Sequence, residues 1–132
     1  MLKHISQLSH RELDYAVAKA LGFELYKDAL LDGRVKHGWW VSGLSANRNH
    51  WVELDYFAAS KKWNIAGPLI VANKIVVITP EFGWYDTDYP FLAIASRGTL
   101  DATIQGDDYL EAAMRCFCVL HLGGATDIPE LY

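Results

Sequence analysis

LSHRELDYAVAKALGF, residues 8–23, reads as a complete amphipathic helix with both ends written into it. Ser9 and Glu12 have the spacing of a capping box, in which each side chain satisfies an orphan amide of the first turn. Leu8 before the cap and Leu13 after it can close a hydrophobic staple. Leu13, Val17, Ala20 and Leu21 then recur at helical spacing along one face. Gly22 stands where a left-handed C-terminal cap is expected. The pattern predicts a helix over 10–21.

A second helix is written near the other end, in DDYLEAAMRCFCVLHLGG, residues 107–124. Asp107 or Asp108 can cap it, and acids at this end suit the helix dipole. Leu110, Ala113, Met114, Phe117, Leu120 and His121 form its apolar stripe, and Glu111 and Arg115 are an i,i+4 pair. His121 is favoured by the dipole at the C-terminal end, and Gly123 and Gly124 stop the helix. Between the two helices the period changes. FELYK, WWVSG and HWVEL read as short strands. DALLDGRVKHG reads as irregular or hairpin-like around Asp32-Gly33, and SGLSANRN as a polar loop. DYFAASKKWNIAGPL reads mostly as loop, with Pro68 opening a short helical turn. KIVVIT is apolar on both faces and predicts a buried strand ended by Pro80. FLAIAS and TLDATIQG are split by Arg97-Gly98, and the latter alternates Leu100, Ala102, Ile104 against Asp101, Thr103, Gln105, a strand with one wet face. ATDIPELY reads as a short irregular end. The sum is a single α+β domain over 1–132: an antiparallel sheet of about 4–6 strands with an N-terminal and a C-terminal helix packed on it.

The bulk numbers agree with a globular domain. The chain has 132 residues, 52% hydrophobic and 13% aromatic, enough to bury a core without disulfides. A net charge of −4 argues against nucleic acid as partner, because a phosphate backbone needs a positive field. The charge is uneven, with Arg34, Lys36 and Arg48 but no acid over 33–52, and three acids but no base over 81–88. Cys116 and Cys118 on a helix point roughly 200° apart, so they neither bond to each other nor chelate one metal. The N-terminus lacks the apolar region of a signal peptide, and the longest apolar run, PLIVANKIVVITP, is too short and too broken to span a bilayer. These features predict a cytoplasmic protein without a membrane partner.

Three segments carry a family resemblance: ELDYAVAKALG, then Tyr56, Trp63, Gly67-Pro68-Leu69-Ile70, Lys74 and Ile75 in their spacing, then AAMRCFCVLHLG. In order and spacing they resemble the NinX-like proteins, small proteins of tailed phages and prophages without a known reaction. FAASKK departs from the family pattern, standing where a Pro-Ser-Thr-like turn is usual. The segment over 28–49 is longer and more aromatic than the family pattern. The resemblance implies a phage accessory protein acting in the bacterial cytoplasm. Such proteins often bind a host protein, or sequester or degrade a nucleotide signal of host defence.

KHGWWVSGLSANRNHW, residues 36–51, is the richest candidate site. Aromatic rings stack on bases, at about 1–3 kcal/mol per base, and arginine forks onto phosphate. Trp39, Arg48, His50 and Trp51 are therefore candidates for holding a nucleotide-like ligand, with His37, Asn47 and Asn49 able to bond its sugar or base edges. The plainer reading puts the tryptophans in the core of paired strands. Trp39 and Trp40 point to opposite faces, however, so a one-sided sheet hides only one of them. Tyr56 and Trp63, beside the Gly67-Pro68 turn, are a second candidate set. Arg115 is a third, with Glu111 as its plain partner. Glu81, Asp86 and Asp88 lie on a turn without calcium-loop spacing, and no metal or cofactor is expected. No P-loop, nucleophile elbow or dinucleotide fingerprint occurs, which disfavours an enzyme. The leading expectation is a non-catalytic binder of a small nucleotide-like host signalling ligand. The alternatives are an adaptor that meets a host or phage protein through exposed aromatics, and a small nucleotide hydrolase. The surplus of aromatics also predicts a homo-oligomer.

Overall fold

A computed structural model describes residues 1–31, 33–42, 51–78 and 91–131. Their order is β1 (Leu2–His4), a 3₁₀ turn (Ile5–Gln7), α1 (His10–Ala20), β2 (Glu24–Leu31), β3 (Arg34–Ser42), β4 (Trp51–Glu53), α2 (Leu54–Phe57), α3 (Trp63–Ala72), β5 (Val76–Ile78), β6 (Phe91–Arg97), β7 (Leu100–Gly106), α4 (Tyr109–Leu122) and β8 (Ala125–Asp127). The fold is α+β with helices flanking antiparallel strands, as the sequence pattern predicts. The strands are shared among three sheets, ordered β2-β3-β4, β5-β6-β7 and β1-β8.

Both capped helices form where their signals lie. In α1 the Ser9 hydroxyl accepts from the Glu12 amide, and the Glu12 carboxylate accepts from the Ser9 amide. The buried face is broader than the predicted stripe: Ala16 and Ala18 join Leu13 and Val17, while Ala20 and Leu21 are only half-buried. In α4 Asp108 is the cap, accepting from the Glu111 amide at 2.8 Å. This helix is buried from Leu110 through Cys118, because it packs on β6 and β7 and also touches α1 and α3. A stripe of six residues was too narrow for a helix with neighbours on several sides. At Gly106, where β7 ends, an added Cβ would lie 2.6 Å from the Ala112 amide nitrogen. Only glycine lets the strand end so close to the first turn of α4.

Besides α2, a single helical turn over Leu54–Phe57 where strand and loop are expected, four elements depart from the sequence reading. Residues 24–42 form one long hairpin, with a bulge where Asp28 faces His37 and Gly38. Asp28 takes φ 60°, a region aspartate tolerates, and its carboxylate accepts from the Gly38 amide at 3.0 Å. The bulge breaks the two-residue period, which is why the segment reads as irregular. Second, α3 runs through Pro68 instead of starting there. Pro68 leaves the Asn64 carbonyl without its helical donor, but Asn64 is exposed and water can serve it. Ala66 and Ile70, four apart, are buried on the side facing α4, and that burial outweighs the lost bond. Third, β5 is an edge strand of three residues with Val76 59% exposed, not a strand buried on both faces. A short apolar run does not reveal its place in a sheet. Fourth, the end is not irregular: β8 pairs with β1, Lys3 facing Thr126, and Ile128 and Leu131 enter the core. Three-residue strands carry too little pattern to show a period. No helix among the described residues is long and apolar enough to cross a membrane.

Candidate functional site

The two neighbouring tryptophans of β3 divide as strand geometry requires. Trp40 is buried, and Trp39 is half-buried on the face shared with Val41. Trp39 meets Tyr15 of α1 edge to face, with ring centroids 5.5 Å apart and planes at 88°. The two rings line a cleft of about 510 Å³ together with Tyr26, Lys27, Lys19 and Pro129. Burial, and then the charge of Asp127, push the Tyr15 hydroxyl above its ordinary pKa, so it stays a hydrogen-bond donor. Lys19 reaches the Thr126 hydroxyl at 2.9 Å and the Asp127 carbonyl at 3.3 Å, leaving one of its three protons. Trp51 does not line the cleft but packs on Tyr26 at 5.0 Å. Tyr26 pairs with Trp40 and turns its ring to the other face, toward Trp51, so the cleft offers two aromatic rings and two ammonium groups, a set suited to a planar, anionic molecule.

The other candidates lie elsewhere. Tyr56 and Trp63 are 70% and 58% exposed on α2 and α3. Lys62 sits 3.6 Å over the Tyr56 ring, and Trp63 lies 5.1 Å from the ring of Tyr109. Arg115 is interior. Its guanidinium donates to the carbonyls of Gln105 (2.9 Å) and Leu8 (3.2 Å) and pairs with Glu111 at 3.0 Å. Its Nε is buried without a hydrogen-bond partner among the described residues, beside a cleft of about 470 Å³ under Ser6, Gln7, Leu92 and Thr103. Arg48 and His50 lie outside the described residues, as do Asn47, Asn49, Glu81, Trp84, Tyr85, Asp86 and Asp88. The described candidates are thus not brought together: Trp39 and Trp51 sit on opposite faces of the β2-β3-β4 sheet, Trp51 with Tyr26 on the face of Trp40. Sequence reasoning passed over Tyr15, Lys19, Tyr26 and Lys27. Tyr15 and Lys19 are four apart on one face of α1, a signal that points outward only once β3 is known to lie opposite.

Three polar features bear on chemistry. Cys116 and Cys118 are both buried; burial pushes the Cys116 thiol up to about 11, and burial followed by the Asp14 charge pushes Cys118 up as well. Neither is a nucleophilic thiolate near neutral pH. His121, expected as a cation at the helix end, is instead pushed toward its neutral form by burial and then by Arg97. Its Nδ1 accepts from Arg97 at 2.8 Å, so Nε2 donates to Asn73 at 3.0 Å. Ser60 Oγ, His10 and Glu111 form a series with contacts of 3.1 and 3.2 Å. Ser60 is only 1% exposed, so its hydroxyl orients the imidazole and does not meet a substrate.

No curated protein matches the chain. The family model described as Bacteriophage P22, NinX matches residues 4–121, a span running from β1 to the last turn of α4, and the chain belongs to that family of phage proteins.

Proposed function

We propose that the protein is a phage accessory factor of the bacterial cytoplasm that binds a small nucleotide-like signalling molecule without turning it over, and so blunts a host defence. The observation that supports this is the cleft between Tyr15 and Trp39 with Lys19 and Lys27 at its wall. Rings of this kind stack on a base, and ammonium groups hold phosphate. The test is a thermal-shift and calorimetric panel of mono-, di- and cyclic nucleotides. A ligand that binds only the folded state raises Tm. Trp39→Ala and Lys27→Ala should each abolish or strongly weaken the shift, and heat-denatured protein should release the ligand chemically intact. A flat panel sinks the reading, and a hydrolysed product makes the protein a nucleotide hydrolase instead.

A second reading has its own observation. Tyr56 and Trp63 are large, exposed aromatics on adjacent helices, and such side chains are common anchors of protein interfaces. They suit an adaptor for a host or phage protein, or contact between copies in a homo-oligomer. Light scattering of the parent and of Trp63→Ala separates these: loss of oligomer on substitution supports the second, a monomer throughout leaves the adaptor, tested by capture of a host protein that Trp63→Ala fails to retain.

A further inference from the structure

The start of α1 and the start of α4 bring three metal-ligating side chains to one point. His10 Nε2 lies 3.2 Å from Glu111 Oε2 and 3.9 Å from Asp108 Oδ2, and the three ligand atoms lie within 4.8 Å of one another. The second polar atom of each side chain is held from outside this point. Asp108 Oδ1 accepts from the Glu111 amide at 2.8 Å. Glu111 Oε1 accepts from the Asp107 amide at 3.2 Å and from Arg115 at 3.0 Å. His10 Nδ1 is 3.1 Å from Ser60 Oγ. This division, one atom braced and one presented, is how proteins orient metal ligands.

Asp14 accepts from the Ser60 amide at 2.8 Å, which fixes Ser60 beside His10 Nδ1 and leaves Nε2 as the ring atom that faces the carboxylates. Glu111, 4% exposed, brings one oxygen to it and Asp108 brings another. One imidazole nitrogen and two carboxylate oxygens thus converge where a single cation can meet all three.

We infer that His10, Asp108 and Glu111 bind a divalent transition-metal ion of the zinc class. The donor set of one imidazole and two carboxylates suits zinc better than magnesium or calcium, which take oxygen alone. Tetrahedral bonds of about 2.0–2.1 Å place neighbouring ligands roughly 3.3 Å apart, so the 3.2 Å pair already fits and the 3.9 Å pair closes by about 0.6 Å, a movement the exposed Asp108 side chain can make. Arg115 and the two helix N-termini oppose a cation, but two carboxylates at the point, one of them buried, exceed that opposition. His10 and Asp108 are partly exposed, which leaves the fourth position to water. The ion would clip the first turn of α1 to that of α4.

The test uses the full chain stripped by chelator and dialysed against Zn²⁺, with Mg²⁺ and Ca²⁺ in parallel. One Zn²⁺ per chain and a raised Tm are expected, without a comparable response to Mg²⁺ or Ca²⁺. His10→Ala should lower Zn²⁺ affinity at least tenfold. Asp108→Asn, which keeps an oxygen for the helix cap and so guards against misfolding, should do the same. Ser60→Ala should weaken binding by about 10–100-fold through loss of the imidazole's orientation. Absence of stoichiometric Zn²⁺, or binding unchanged in His10→Ala and Asp108→Asn, overturns the proposal.

Discussion

Asp14 is an acid on the buried face of α1, 4% exposed, and its carboxyl is pushed up to about 6 from 3.8 by burial, against the pull of the Ser60 amide and hydroxyl. In the unfolded chain it ionises near its ordinary value. Its contribution to stability is therefore fully present below pH 3.8 and is lost as pH rises through about 6. Above that, the ionised group costs the fold about 3 kcal/mol. Asp14→Asn keeps an acceptor for the Ser60 amide and removes the charge. It should be more stable than the parent at pH 7.5 by up to about 3 kcal/mol, with the difference vanishing toward pH 4 in denaturant titrations. Arg115 reads the opposite way. It bonds Leu8, Gln105 and Glu111 at once, so Arg115→Ala should cost about 3–5 kcal/mol in denaturant unfolding. A loss under about 1 kcal/mol would return Arg115 to the role of a surface ligand group. The Glu111 partner was readable from the sequence because it is one helical turn away. The Leu8 and Gln105 carbonyls were not, since only the folded chain brings them there.

At the scale of elements, the strand before α4 approaches the helix backbone closely at its first turn. A Cβ on Gly106 would lie 2.6 Å from the Ala112 amide nitrogen and 2.9 Å from its Cα, and backbone cannot yield as a flexible side chain can. Gly106→Ala should destabilise by about 1–3 kcal/mol, the range for overpacking. Gly124→Ala, with nothing within 4 Å of the added carbon, should stay within about 0.5 kcal/mol and serves as the control. Equal effects at both positions would remove the close approach as the cause. Elements with local signals could be read directly: Ser9 and Glu12 start α1, Asp108 starts α4, and Ala102 and Ile104 alternate with wet neighbours in β7. Elements set by distant partners could not. α3 persists through Pro68 because Ala66 and Ile70 find α4, and β1 exists because β8 returns to it. The candidate site divides likewise. Trp39 was readable as a tryptophan that its sheet could not hide, whereas Tyr15 became its neighbour only when α1 crossed β3.

At the scale of the molecule, three small sheets hold together because they share one core. Residues from α1, β3, α2, α3, β6, β7, α4 and the C-terminal end form a single buried cluster, with Ile5, Val41, Ala93, Met114 and Ile128 among its members. Each sheet gives its apolar face to that shared cluster, so no sheet should melt independently. Ile128 tests this, being 1% exposed just beyond β8 and remote in sequence from the tryptophan-bearing sheet. Ile128→Ala should cost about 2–5 kcal/mol by transfer and cavity formation. The loss should be felt everywhere at once. Unfolding followed by tryptophan fluorescence, which reports mainly on β3, β4 and α3, should coincide with unfolding followed by far-ultraviolet circular dichroism, which reports the helices. Both midpoints should fall together in Ile128→Ala. If the fluorescence midpoint stays while the helical signal moves, the β2-β3-β4 sheet is a separate folding unit, and the cleft between Trp39 and Tyr15 opens without global unfolding.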